Sequence, residues 1–567
     1  MATKNAEMKN FLNKTIHSDD IFTPEDFSDE HKMIADMTEK FVMNEVMPAL
    51  SKIENQEFDE TIRLIKEAGA LGLIGADIPE EDGGLDLGKV SGAIIGEKMA
   101  LGRSFSITFG GQTGIGALPI AYFGSQAQKE KYLPDLLSGN KIAAYALTEP
   151  SAGTDALGLK TTAVLADDGK HYILNGEKQW ITNSAFADVF IVYGKVDGKQ
   201  ITAFIVEKNS EGLSTSPEEN KMGLKGSSTR SLILDQVKVP VENVIGEIGR
   251  GHIIAFNVLN IGRYKISASA LGSSKRSLEL AVKYANERKQ FGRPISSFNL
   301  IKQKLAGMTI KTYANESAVY RTAGAMQDGF EEMKDSGKEY GKTIARFAVE
   351  CSINKVMSTE ALDFVVDEAV QIHGGYGYMA EYEVEAIYRD SRINRIFEGT
   401  NEINRMIIAS TILKNGKQPL ENKQVNDGPL QREKQTIQLM KEYLDSTIQA
   451  IHQAGFDDLN EEQEAATFLA DLAIAIYASE SAVLRADKLL TKYSDDRNAQ
   501  ILDCTKVYVH ETAQWCAIKG LNILNHLNDN EQFSQTIGRL ISSSPDNMVA
   551  IKRRIADRII AAERYMV

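Results

Sequence analysis

The sequence predicts a mainly α-helical chain with a central antiparallel β domain and a separate helical extension at its C-terminal end. Three observations carry that reading. The period of the apolar residues changes twice along the chain, a polar Gly/Pro segment interrupts it late, and 567 residues exceed what one hydrophobic core holds. From 28 to 144 apolar residues recur at three and four, as in Met33, Met37, Phe41 and Val42, or Ile62, Leu64 and Ile65, which reads as a helical domain. From 145 to 256 the runs DVFIVYG, ITAFIVE and STRSLILDQVKV, with the turn pairs Asp168-Gly169 and Asp197-Gly198, read as antiparallel strands. Helical periodicity returns from 257 to 413, through stretches such as SASALGSSKRSLELAVKYANERKQF. The segment 414–431, KNGKQPLENKQVNDGPLQ, reads as a linker. Residues 432–567 are helical again, and the last helix aligns Met548, Ile551, Ile555, Ile559 and Ala562 on a stripe that needs a partner surface.

Composition narrows the function classes. With 43% hydrophobic and 25% charged residues the chain can bury sizeable cores. A net charge of −14 and a pI near 5.3 argue against a nucleic-acid partner, and an anionic ligand would need a local basic pocket. Cys351, Cys504 and Cys516 are too few and too dispersed for a disulfide framework or a metal cage, and a reducing cytoplasm fits them. The opening MATKNAEMKNFLNK has neither the apolar core of an export signal nor the bias of a transit peptide, so the expected location is cytoplasmic. The uncharged run from Ser104 to Gln128 has spanning length, but Gly110, Gly111, Gly114 and Gly116 interrupt it, and a buried glycine-rich helix pair is the better reading.

Two glycine motifs are set aside. GYGYMA (375–380) matches a dinucleotide fingerprint, which works only between a strand and a helix, and its flanks read helical. GKEYGKT at Gly337 has its first glycine one residue too close to Lys342 for a phosphate loop. The histidines form no metal-ligand spacing, so no metal is expected.

Four blocks, YALTEPSAGTDA (145–156), EKQWITNS (177–184), ERKQFGRPI (287–295) and QIHGGYGY…RIFEGTNEINR (371–405), together resemble the acyl-CoA dehydrogenase family, over about 28 to 413. The resemblance implies that family's fold, a helical domain, a β domain and a helical bundle, with FAD as cofactor. It implies that Tyr145, Leu147 and Thr148 line the isoalloxazine edge, where N–H and hydroxyl donors stabilise reduced flavin, and that Gly153 and Thr154 continue toward phosphates and thioester. Thr154 stands where serine is usual. Trp180 would cover the flavin face away from substrate, with Ile181 beside it and the Thr182 hydroxyl near N5. Arg288, with Gln290 and Phe291, resembles the arginine that reaches the FAD pyrophosphate of a neighbouring subunit, which implies a homo-oligomer. Gln371, Gly374 and Gly375 would approach the same pyrophosphate, with Thr400 and Glu402 near the adenosine half. Blander readings stand beside these: Trp180 as a core tryptophan, Arg288 on a solvated face, and Gly374-Gly375 as a helix cap.

The reaction implied is α,β-dehydrogenation of a fatty acyl-CoA, with Glu398 as the base and N5 as the hydride acceptor. A carboxylate at about 4.3 is a weak base, and burial beside the thioester should raise it. The backbone N–H of Glu398 would share the thioester oxygen with a ribityl hydroxyl. Substrate contacts are also implied for Thr154, Arg263, Gly399 and Asn260, the last standing where several relatives carry aspartate. The extension resembles that of very-long-chain acyl-CoA dehydrogenases, which favours a homodimer over a tetramer, electron-transfer flavoprotein as electron acceptor, and peripheral membrane contact through a last helix bearing Lys552, Arg553, Arg554 and Arg558. Gly110, Gly111, Gly114 and Gly116 lie where the family lines its acyl tunnel, which points to long chains; close helix packing explains them equally well. An oxidase of the same fold and a non-enzymatic scaffold are the rival readings.

Overall fold

The protein is described by a computed structural model covering residues 16–336, 339–415, 429–456, 458–490, 496–523, 526–527, 531–542 and 547–567. Helices α1 (Asp29–Phe41), α2 (Met47–Glu54), α3 (Phe58–Ala70), α4 (Gly88–Met99), α5 (Ser104–Gly110), α6 (Leu118–Phe123) and α7 (Gln126–Leu137) come first. Strands β1 (Ala143–Ala146), β2 (Thr162–Leu165), β3 (His171–Thr182), β4 (Val189–Val196), β5 (Gln200–Glu207), β6 (Leu213–Thr215), β7 (Thr229–Pro240) and β8 (Val244–Ile245) follow. Then come α8 (Gly251–Glu287), the hairpin β9 (Lys289–Gln290) and β10 (Arg293–Pro294), α9 (Asn299–Ser336), α10 (Tyr340–Ala345), α11 (Ala348–His373), α12 (Glu383–Ser391) and α13 (Asn401–Asn415). The extension contributes α14 (Gln431–Gln453), α15 (Gln463–Leu490), α16 (Asp496–Ile523), α17 (Glu531–Ile541) and α18 (Met548–Ala562). Most of the expected linker, and Gly337, lie outside the described residues.

The chain divides into two compact units, one formed by 28–272 with 326–348, the other by 1–27, 273–325 and 349–567. In the first, Ser28 and Ser125 cap α1 and α7 by accepting from the backbone N–H of His31 and Gln128 at 3.2 and 3.3 Å. The uncharged run is buried as expected: α5 and α6 are joined through a π-helical stretch, Gly111–Gly116. Buried Lys265 Nζ donates to the Thr113 carbonyl at 3.1 Å and pairs with Asp77 at 3.3 Å.

The sheet runs β6-β7-β3-β2-β4-β5-β8, with β1 also on β4. It is antiparallel except at β1–β4 and β2–β4, which are parallel. The expected antiparallel β domain is present, and the two parallel pairings arise because β4 is reached from β1 and β2 by long crossovers, not hairpins, and such crossovers allow a parallel neighbour. Leu174, Phe190, Val192, Phe204, Leu232 and Val237 fill the core of this unit.

In the second unit, α15 is long and apolar enough to cross a membrane by length and composition, yet 89% of that window is buried. Leu469, Leu472, Ala473 and Ile476 of α15 share a core with Ile353 of α11, Ile408 and Ala409 of α13, and Met440 and Leu444 of α14. The stripe on α18 finds its partner surface: Ile551, Ile555 and Ile559 are buried. Its cations turn to the protein, Arg554 and Arg558 pairing with Asp503 at 2.7 and 2.9 Å and Lys552 with Glu511 at 2.5 Å.

Candidate active site

The β unit holds the first two blocks together through its main chain. Tyr145 lies in a buried strand, β1, and the carbonyl of Thr148, two residues past it, accepts from the Gln179 N–H on β3 at 2.8 Å. The register of β3 against β7 slips between Lys178 and Ile181. A bulge of this kind re-aims a side chain. Here it puts Trp180 at φ +58° and leaves its indole 58% exposed, while Ile181 stays buried. An exposed tryptophan on a left-handed backbone is no core residue, so the core reading of Trp180 is excluded. Thr182 is half-buried, and Asn183 anchors the end of the strand by donating to the Thr108 and Ala143 carbonyls at 3.2 and 3.3 Å.

Sequence reasoning missed the pair that ties these blocks. Lys178, fully buried, donates to the Leu147 carbonyl at 3.2 Å and to Glu149 at 2.7 Å. Burial pushes the Lys178 ammonium down to about 8 against the pull of Glu149. Burial raises Glu149 too, but Lys178, Thr161 and the Lys160 N–H outweigh it and hold the carboxyl below its usual range. Both residues stand inside the quoted blocks; a lysine at a buried position of an alternating strand is the signal.

Gly153 and Thr154 are exposed, and a side chain at Gly153 would meet open space. Asn260 and Arg263 are both buried, and Arg263 donates to Asn260 at 2.8 Å, so Arg263 is no surface charge. The glycine-rich stretch divides. A Cβ at Gly110 would meet nothing, at Gly114 it would touch Lys265, and at Gly111 and Gly116 it would press on Asn183 at 3.0 Å and Ala143 at 2.8 Å. Open space and close packing therefore apply to different glycines.

In the other unit the third and fourth blocks form two groups. Arg288 directly follows α8, with its guanidinium 5.5 Å from the centre of the Tyr376 ring. Arg288, Gln290, Gln371, Gly374 and Gly375 are all exposed, and Phe291 is 93% exposed. Gly374 takes φ +59° just past α11, as a helix-ending glycine does, while both glycines leave the space beside their backbone open. Lys289 and Arg293 are exposed on the same hairpin, so this corner is basic in an acidic chain. Among the described residues GYGYMA follows a helix, not a strand.

The second group is the turn before α13. Glu398 is half-buried at φ +55° and Gly399 follows at φ +84°, two successive left-handed residues. For a residue with a Cβ that conformation costs about 1–2 kcal/mol, so the surroundings must over-determine it. They do so through fully buried Lys355 on α11, which donates to the Gly399 carbonyl and to Asn401 Oδ1, each at 2.8 Å. Asn404 Nδ2 donates to the same carbonyl at 2.8 Å. Thr400 caps α13 by accepting from the Ile403 N–H at 3.3 Å. Glu402 is held below the usual carboxylate range by its own backbone N–H and the Thr400 hydroxyl, so it also serves the helix start. Lys355 is the second residue that sequence reasoning missed, a lone cation inside the apolar run CSINKVMS.

In the β unit the exposed Trp180 ring and the hydroxyls of Thr148 and Thr182 suit an aromatic cofactor, and in the helical unit the forked cation of Arg288, the exposed Phe291 ring and open glycine backbone suit a phosphate-bearing one. The helical unit also carries a carboxylate, Glu398, on a tightly held turn. The ring and hydroxyls of the β unit and the carboxylate of the helical unit are the side-chain types that a flavin-type oxidoreductase uses.

Comparison with known proteins gives the family. Models of the acyl-CoA dehydrogenase N-terminal, middle and C-terminal domains match residues 28–140, 144–237 and 249–413, and a further acyl-CoA dehydrogenase C-terminal domain model matches 430–538. A probable acyl-CoA dehydrogenase of Bacillus subtilis is 49% identical over the full length of both chains. The very long-chain specific acyl-CoA dehydrogenase of rat mitochondria is 41% identical over 371 residues, 64% of this chain and 53% of that protein. A crystal structure of an acyl-CoA dehydrogenase complexed with FAD from Bacillus anthracis superposes with a TM-score of 0.94 at 50% identity over all of both chains. The chain belongs to the acyl-CoA dehydrogenase family and is an oxidoreductase.

Proposed function

We propose that this protein desaturates long-chain fatty acyl-CoA at the α,β bond, with Glu398 as the base. The observation that carries the reading is the Glu398 turn, a left-handed carboxylate residue whose neighbouring carbonyl is pinned by a buried lysine. Tyr145, Leu147, Thr148, Trp180 and Thr182 would hold the ring of FAD, Arg288, Phe291, Gln371 and Gly375 would hold the pyrophosphate of a neighbouring subunit's FAD with Thr400 near the adenosine half, and the cofactor would supply the hydride acceptor at N5. The chain supplies the rest. Glu398 takes the α-proton at its carboxylate, a role that an amide cannot fill. The Glu398 N–H polarises the thioester oxygen as negative charge develops there. Trp180 excludes water from one ring face, and Arg288 neutralises phosphate charge with a planar fork.

The open space beside Gly110 supports a long acyl chain, as does similarity to a very long-chain enzyme. Electron-transfer flavoprotein as acceptor and a homodimer rest on the family resemblance alone. Three of the four basic residues of α18 are spent on ion pairs inside the extension, which weakens that helix as a membrane anchor.

Anaerobic mixing of the purified yellow protein with acyl-CoAs of increasing length, followed by flavin absorbance, tests the reading. Bleaching should grow toward long chains. Glu398→Gln should stay yellow and bind acyl-CoA but lose about 10²–10⁴-fold in the bleaching rate. Undiminished bleaching by that variant would sink the assignment.

A further inference from the structure

The extension reaches the base-bearing turn by an unbroken chain of polar contacts. Asp471, on α15, is buried and accepts from Arg405 Nε and Lys519 Nζ, each at 2.7 Å. Arg405, on α13, turns its other edge to Glu360 of α11 in a bidentate pair at 2.7 and 3.0 Å. Glu360 also accepts from Asn401 Nδ2 at 3.1 Å. Asn401 in turn accepts from Lys355, the lysine that holds the Gly399 carbonyl beside Glu398.

We propose that Asp471 is a positioning residue for Glu398, so that the extension sets the geometry of the base through Arg405, Glu360, Asn401 and Lys355. The inference rests on the reading of Glu398 as the base. A planar guanidinium gripped from both edges has little freedom to rotate, so it fixes α13 relative to α11 at the turn where Glu398 projects. The plainer alternative is that Asp471 only fastens the extension. That fastening already has another source, the apolar core shared by α15 with α11, α13 and α14. What the core cannot supply is direction at the first turn of α13, and a strained turn needs a directional restraint.

The test uses the full-length holoenzyme. Asp471→Asn should keep its flavin, lower the flavin-reduction rate at saturating acyl-CoA about tenfold and change the half-saturating concentration less than about twofold, since orientation and not binding is lost. Asp471→Glu should recover part of the rate. Glu360→Gln, in the middle of the chain and half-exposed, should reproduce the loss and stands in if Asp471→Asn does not fold. Tyr477→Phe removes a 2.7 Å hydroxyl contact with Thr322 from the same helix α15 without touching this chain, and should leave the rate unchanged. An unchanged rate in both Asp471→Asn and Glu360→Gln, or an equal loss in Tyr477→Phe, overturns the proposal.

A second readout needs no reaction. Amide hydrogen exchange across 399–404 should quicken about tenfold in Asp471→Asn and stay unchanged in Tyr477→Phe, because only the former loosens the turn. Unchanged exchange in Asp471→Asn overturns the linkage even if activity falls. If the parent enzyme is not bleached by any acyl-CoA, the reading of Glu398 fails instead, and the exchange result still decides whether the extension holds the turn.

Discussion

Trp180 and Glu398 both sit on left-handed backbone, at φ +58° and +55°, but the protein holds them there by different means. At Trp180 the restraint is main chain: β3 is laddered to β7 on either side of the bulge, and the Gln179 N–H donates to the Thr148 carbonyl. At Glu398 the restraint is side chain: Lys355, Asn401 and Asn404 converge on one turn that belongs to no regular element. A backbone ladder is indifferent to most substitutions, whereas a turn held by side chains stands or falls with a few of them. The backbone at Trp180 should therefore be robust to mutation and that at Glu398 fragile.

The largest break in that comparison should come from Lys355→Met. It leaves the Gly399 carbonyl and Asn401 without their buried donor, a loss of about 1–3 kcal/mol in stability. It also frees the turn, and misplacing a base by about 1 Å costs on the order of 10²-fold in rate. Lys178→Met, the equivalent loss of a buried lysine in the β unit, should destabilise by a similar amount but cut the rate far less. Stopped-flow flavin reduction beside thermal melting checks both, and equal rate losses would erase the distinction drawn here.

A smaller effect is expected at Gly399, whose φ of +84° a Cβ resists. Gly399→Ala should cost about 1–2 kcal/mol and slow flavin reduction, without altering the flavin spectrum. A melting temperature unchanged from the parent would show that the turn relaxes freely.

The parts of the molecule legible in the sequence are those set by local period. Helix and strand zones followed from apolar spacing because burial of one face is written every two or three to four residues. The stripe on α18 was legible for the same reason. The bulge at Trp180 was not, because it depends on how β3 registers against β7, some fifty residues onward. The parallel pairings of β4 escaped for a similar reason. Lys178 and Lys355 look like interruptions in apolar runs until their partners, distant in sequence, are seen around them. The glycine-rich stretch shows the limit best: glycines within one short string serve open space at Gly110 and tight packing at Gly116, and nothing in the string separates them. The proposal for Glu398 rests on its motif, which no periodicity marks.

The last and smallest effect concerns the charge of Lys178. Its folded-state value lies near 8, below the roughly 10.4 of an unfolded lysine. Between those values the unfolded chain binds a proton that the folded chain does not, so this group's contribution to stability rises with pH from about 8 to 10.4. Glu149 acts at the other end: its folded value is depressed, so its contribution is full above the unfolded value of 4.5 and is lost as pH falls through the folded one. The stability difference between parent and Lys178→Met should therefore shift in favour of the parent on going from pH 8 to pH 10.4, with no such trend between pH 6 and 7. Chemical denaturation at each pH measures it. A difference that is flat or falls above pH 8 means that Lys178 stays charged in the fold, with Glu149 outweighing burial, and that the pair joining β3 to the segment after β1 is a full ion pair at every working pH.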